Sequence, residues 1–161
     1  MFEPFKLTES RTENETNFLE NLEYLIQPEK CRTEAENIAV LANTSSFLFW
    51  FLQDVNWVGF YIKKKDQLFL GPFQGLPACT PLSLGSGVCG TSMKEGKPKI
   101  VNDTSLFPGH IACDKNSRSE IAIPFAGTIL LDIDSPVKNR FSKDDLIFLQ
   151  KICNILEKKL F

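Results

Sequence analysis

Histidine is nearly missing from this chain, with His110 the only one among 161 residues. No Cys-x-x-Cys pair stands beside it, so a structural zinc site would need an unusual ligand set. Long apolar runs are missing too. The longest, FLFWFL at residues 47–52, is far shorter than the roughly 20 residues a membrane-spanning helix needs. An excess of positive charge is also lacking: 18 Lys and Arg face 20 Asp and Glu, for a net charge of -2. That balance gives no electrostatic attraction to nucleic acid or to an anionic membrane, and neither partner is expected. Internal repeats and low-complexity linkers are absent. The first residues, MFEPFKLTESRTENETN, are acidic and polar, which suits neither a secretory signal nor a mitochondrial presequence. A cytoplasmic location is expected.

Five cysteines are present, an odd number that argues against a disulfide framework in a reducing compartment. Cys31 and Cys153 fall on or beside helical segments, where a free cysteine usually acts as a small hydrophobe. The remaining composition, 43% hydrophobic and 24% charged, is that of a globular chain. The length suits one domain, residues 1–161, with a start that frays up to residue 12.

Periodicity gives the element order. NETNFLENLEYLI places Phe18, Leu22, Leu25 and Ile26 on one helical face. TEAENIAVLANTSSFLFWFL opens with a capping-box pair, Thr33 and Glu36, and predicts a buried stripe of Ala35, Ile38, Ala39, Ala42, Phe49 and Leu52. NWVGFYIK and QLFLGPF read as two strands around a tight connection. GSGVCGTSMKEGK reads as a glycine turn and a short helix ending at Gly96. PKIV is a brief strand whose leading proline suits a strand start or a sheet edge. EIAIPF and TILLDID are two more strands. SKDDLIFLQKICNILEKKL is a closing helix capped by Ser142, with Leu146, Leu149, Ile152, Cys153, Leu156 and Leu160 inward. The plan is α+β: a central antiparallel sheet with the helices on one face and a loop-covered pocket on the other.

Three cysteines remain, all placed by this reading in polar loops on the open side of the sheet. Cys113 has His110 and Lys115 nearby in sequence. Taken alone, it reads best as a thiol tucked into the core from a surface loop. Cys89 stands at the start of the short helix, where amide groups and the helix dipole favour a thiolate. Cys79 lies in GLPACT, between strands. Together the three can form a nucleophile and a resolving thiol, since a sulfenic acid is recovered when a second thiol condenses with it.

The alternation of LLDID puts Asp132 and Asp134 on one strand face, which in isolation reads as a solvated face. A three-residue hairpin loop of Phe125, Ala126 and Gly127 sets Glu120 opposite Asp132. A two-residue Ala126–Gly127 turn pairs Glu120 with Ile133 and turns the aspartates away. The three-residue loop is preferred, because Ala126 poorly suits a type I′ turn. With Trp57 and Tyr61 as walls, three carboxyl groups suit a small ligand with an ammonium group and an apolar tail.

DVNWVGFYI, LGPFQGLPACT, GSGVCGT, FPGHIACD, SRSEIAIP and LDIDSP resemble, in this order, the free methionine-(R)-sulfoxide reductases, a family of single GAF domains. The likeness runs from about Ala42 to Phe141. It implies reduction of free L-methionine (R)-sulfoxide to methionine, with no bound cofactor and no metal, and with thioredoxin as external reductant. It also implies roles: Cys113 the nucleophile, Cys79 and Cys89 the resolving positions, Trp57 and Tyr61 the enclosure of the methyl-sulfoxide end. Glu120, Asp132 and Asp134 match the acidic residues that hold the substrate, with Glu120 the expected acid at the sulfoxide oxygen. A homodimer is admitted as an assembly. Between Glu120 and Asp132 the chain is shorter than the family's usual hairpin, and loss of an even number of residues preserves each side chain's face. Two other readings share parts of this pattern: a GAF sensor for a cyclic nucleotide or tetrapyrrole, and a thiol switch oxidised by peroxide. Neither accounts for thiols, carboxylates and aromatic walls at once.

Overall fold

The computed structural model describes residues 3–26, 33–109 and 113–160. Cys31 and His110 lie outside them. Helices α1 (Arg11–Ile26) and α2 (Glu34–Phe51) lead into strands β1 (Trp57–Lys64), β2 (Gln67–Gly75) and β3 (Leu82–Ser83). Helix α3 (Gly87–Glu95), β4 (Lys99–Val101), β5 (Ser119–Phe125), β6 (Ile129–Ser135) and α4 (Lys143–Leu160) complete the order. The six strands form one antiparallel sheet in the order β3-β2-β1-β6-β5-β4. The α+β expectation holds. The Pro98-led β4 lies at a sheet edge, where a missing N–H costs least. No helix of the described residues is long and apolar enough to cross a membrane.

Side chains alternate between two apolar layers. Val58 and Phe60 of β1, Ile121, Ile123 and Phe125 of β5, and Leu131 and Ile133 of β6 pack against α1, α2 and α4. Phe18 of α1 stacks on Phe47 of α2, with ring centroids 4.1 Å apart. Phe148 of α4 meets Phe18 edge-on at 5.5 Å. The opposite face carries Trp57, Tyr61, Ala122 and Leu130, covered by α3 and the loops. Burial of about a dozen large side chains at roughly 2 kcal/mol each is the main stabilising contribution.

The first and last helices bury the faces their periodicity predicts. The α2 stripe does not. Val40, Leu41, Thr44, Ser45, Phe47 and Leu48 are buried, while Ile38 and Phe49 are exposed. Two hydroxyl residues point inward because helix carbonyls satisfy them: Thr44 Oγ1 donates to the Val40 carbonyl at 2.8 Å and Ser45 Oγ to that of Leu41 at 2.9 Å. The Ser45 oxygen also lies 3.1 Å from the Pro72 carbonyl, tying α2 to β2. Ahead of α1, Phe5 packs against Phe47, Trp50 and Phe51, and Asn14 exchanges hydrogen bonds with the Thr8 backbone.

The β5–β6 loop is three residues long, but it is Ala126, Gly127 and Thr128, with Phe125 paired to Ile129. Phe125 stays in the strand because there its ring is buried in the helix-facing layer. The cost falls on Ala126, which takes φ 50 beside Gly127 at φ 69. For an L-residue with a Cβ that conformation is unfavourable by roughly 1–2 kcal/mol. Ala126→Gly is therefore expected to raise the unfolding free energy by about 0.5–1 kcal/mol in urea titration. An unchanged or lower value would show that the loop is unstrained.

At the start of α4, Ser142 and Asp145 cap each other: the Ser142 amide donates to Asp145 Oδ2 at 2.7 Å, and the Asp145 amide to Ser142 Oγ at 3.1 Å. Arg11 and Arg140 approach the same carboxylate at 3.1 and 3.5 Å. Burial opposes the charge on Asp145, but the Ser142 bonds and then the two arginines outweigh it, so its carboxyl sits below the ordinary aspartate range. A lowered folded pKa gives stability that is present above the unfolded value, about 3.9, and lost as pH falls through the folded one. Asp145→Ala should cost about 2 kcal/mol at pH 7. That difference should shrink as denaturation is repeated below pH 4; a difference independent of pH would refute the electrostatic account.

Candidate active site

The β1–β6–β5 pairing assembles the site. Trp57 pairs with Asp134, which pairs with Glu120, and Gly59 pairs with Asp132, which pairs with Ala122. Directly paired residues share a sheet face, so Trp57, Tyr61, Glu120, Asp132 and Asp134 all point to the loop side. The preferred hairpin set Glu120 opposite Asp132. The observed partner is Asp134, because the loop sits one residue further along, and the face is unchanged. The shortened hairpin therefore leaves the acidic cluster intact.

The resulting pocket opens between this face of the sheet and the loops that cover it. Its lining includes Trp57, Tyr61, Cys89, Cys113, Glu120, Asp132 and Asp134, seven of the eight residues singled out from the sequence. The eighth, Cys79, lies just behind, joined to Cys113 by a disulfide with Cα atoms 5.4 Å apart. Tyr61 Oη donates to the Cys79 carbonyl at 3.1 Å, so an aromatic wall and a thiol loop hold each other in place.

The two aromatic walls lie nearly parallel, with centroids 5.9 Å apart at 26°. Trp57 also stacks on Phe73 at 5.4 Å, and its Nε1 donates to the Leu76 carbonyl at 3.0 Å. Its ring lies across Gly59. A Cβ at Gly59 would meet the far edge of the indole and the Phe73 Cβ. Glycine at the centre of Trp57-x-Gly59-x-Tyr61 is thus a spacing requirement, visible as a period-two pattern but not singled out from sequence.

Electrostatics depart from expectation at Cys89. It is the third residue of α3 rather than part of a loop, and it is only 5% exposed. Its Sγ lies 3.4 Å from Glu120 Oε1. Burial first, then the negative fields of Asp132 and Glu120, push its thiol well above the ordinary value. The expected activation by the helix start is overruled by desolvation and like charge. Cys153 is also buried within the helical layer, which pushes its thiol up and agrees with its reading as a small hydrophobe.

Asp132 and Asp134 are raised as well. For Asp132 the causes are burial, then Glu120 and Asp134; for Asp134 they are burial, then Glu120 and Asp114. One Asp132 oxygen is buried with no protein partner. Cys89, Glu120 and Asp132 offer donor atoms within 4.8 Å of one another. Asp132 and Asp134 retain protons that exposed carboxylates would lose, and the acidic cluster suits a cationic group. Beside a thiol loop and two aromatic walls, it can bind an ammonium group and deliver a proton to a leaving oxygen. Sequence reading missed Asn56 and Ser117, whose polar side chains give no periodic signal and are brought together only by the fold.

No family model matches the chain. It is 45% identical over 131 residues to the free methionine-R-sulfoxide reductase of Escherichia coli, covering 79% of each chain. The structure of free methionine-R-sulfoxide reductase from Neisseria meningitidis in complex with its substrate superposes with a TM-score of 0.88 at 34% identity, covering 99% of this chain and 95% of that one. A structure described as the GAF domain matches at a TM-score of 0.85 and 32% identity, covering 94% of this chain and 89% of that one. By sequence and by fold, the chain belongs to the free methionine-R-sulfoxide reductase family, built on the GAF domain.

Proposed function

We propose that the protein reduces free L-methionine (R)-sulfoxide to methionine and is recycled by thioredoxin. The carrying observation is that Cys113, disulfide-bonded to Cys79, shares one pocket with Glu120, Asp132, Asp134, Trp57 and Tyr61. The carboxyl cluster receives the substrate ammonium, and the aromatic walls take the methyl-sulfoxide end. The Cys113 sulfur attacks the sulfoxide sulfur as its thiol proton passes to the carboxyl cluster; the S–O bond breaks, and its oxygen passes to Cys113 with the proton that the cluster returns. Methionine leaves and Cys113 is a sulfenic acid. The Cys79 thiol then displaces water to form the Cys79–Cys113 disulfide, which a thioredoxin dithiol reduces by exchange.

Cys79 is the better resolving thiol on this reading. It is the residue bonded to Cys113, whereas burial and acidic neighbours hold Cys89 protonated. The test is NADPH consumption with thioredoxin and thioredoxin reductase. Free (R)-sulfoxide should turn over; the (S) epimer and N-acetylated (R)-sulfoxide should turn over at least about a hundredfold more slowly. Cys113→Ser should be inactive. Cys79→Ser should release about one methionine per chain and then stall. Equal turnover of blocked and free substrate would sink the ammonium clamp, and steady turnover by Cys79→Ser would sink its resolving role.

The carboxyl cluster generates a further prediction. Raised folded pKa values mean that the folded state holds more protons than the unfolded one, so stability falls as pH rises above about 4 toward the folded values. Asp132→Asn removes that loss. It should melt higher than wild type at pH 7, by a margin that widens with pH, while kcat drops about 10²-fold or more. A variant that loses both activity and stability would contradict the assignment.

A further inference from the structure

Cys113 is carried on the loop leading into β5, and the distance from its sulfur to the carboxyl cluster depends on what holds that loop. Asn56, the residue before β1, stands between the two. Its backbone N–H donates to the Asp134 carbonyl at 3.0 Å, which fastens it to the end of β6. Its side-chain Nδ2 donates to Asp114 Oδ2 at 2.9 Å and to Ser117 Oγ at 3.1 Å, so both amide protons are used on the loop. Asp114 adjoins Cys113, and Ser117 is two residues before β5. Ser117 accepts from Asn56, leaving its own proton for the Asp134 carboxyl, with which it interacts. The chain from Asp114 through Asn56 and Ser117 to Asp134 thus joins the nucleophile's loop to the acidic wall. Asn56 itself does not line the pocket.

We propose that Asn56 is a positioning residue, an amide clasp that holds the Cys113 loop in register with Asp134 for both sulfoxide attack and closure onto Cys79. The sulfoxide part of this inference rests on the reductase reading; the part concerning the disulfide does not. A loosened loop lowers the effective concentration of Cys113 at its partners without altering any group that touches substrate.

The test uses full-length Asn56→Ala and Asn56→Asp, with cooperative melting confirmed first. The Cys79–Cys113 equilibrium with dithiothreitol is read by thiol alkylation and mass spectrometry. Both variants should form the disulfide with an equilibrium constant about tenfold lower at pH 7, equal to about 30 mV for a two-electron couple. In Asn56→Asp a carboxylate faces Asp114, so the defect relative to wild type should diminish as pH falls to about 4 and below, where a protonated carboxyl again offers a donor. In the coupled assay kcat should fall about tenfold or more, with KM within about threefold. Should Asn56→Ala not fold, Ser117→Ala, which removes one of the two side-chain acceptors, should move the same equilibrium in the same direction. A wild-type disulfide equilibrium in the folded variants, or a rise in KM with kcat intact, overturns the proposal. A shifted equilibrium in a protein whose wild type does not reduce methionine sulfoxide would refute the reductase reading while leaving the clasp in place.

Discussion

The pairing of β6 with β1 on one side and β5 on the other is the constraint from which the site follows. In an antiparallel sheet, paired residues look the same way, so three strands supply Trp57, Asp134 and Glu120 as one row and Gly59, Asp132 and Ala122 as the next. The intervening residues, Val58, Ile121 and Ile133 among them, enter the helical layer. Neither face can be changed independently: Glu120, Asp132 and Asp134 each adjoin on their strand at least one of Ile121, Leu131 and Ile133, which anchor the sheet to the helical layer.

Both faces of the sheet bury apolar side chains and gain folding free energy from them, but they differ in what else they bury. The helical side gathers chiefly aromatic and branched side chains. The other side collects carboxyl groups and a thiol out of water, where desolvation and mutual repulsion oppose the ionised forms of Asp132 and Asp134. That arrangement keeps proton donors available near neutrality and leaves a demand for a cation. A ligand bearing an ammonium group satisfies both conditions at once, which is how an unfavourable local environment becomes a binding determinant.

Much of this was legible in the sequence where a simple period governs. The alternation of TILLDID, the 3.6-residue stripe of the last helix and the glycine after α3 all led to their observed structures. It was less legible where tertiary partners override local pattern. In α2, Thr44 and Ser45 fall outside the predicted apolar stripe, yet carbonyls one turn back let them enter the core. At the hairpin, burial of Phe125 outweighed the poor fit of Ala126 to positive φ. For Cys89, the helix start was visible but the acidic neighbours from other strands were not. The role of Asn56 is invisible in one dimension, because its partners lie about sixty positions away along the chain.

The acidic residues also bear on which fold the chain can adopt at all. A hairpin with two long apolar strands is open to slippage, and Ile121, Ile123, Leu131 and Ile133 would pair comfortably in several offsets. Sliding β6 by one residue would carry Asp132 and Asp134 into the helical layer, where an unpaired carboxylate is strongly disfavoured. Glu120 imposes the same penalty on β5. The side chains that make the native state shallower thus remove its nearest competitors, and the gap between correct and shifted sheets is maintained by the groups the pocket needs.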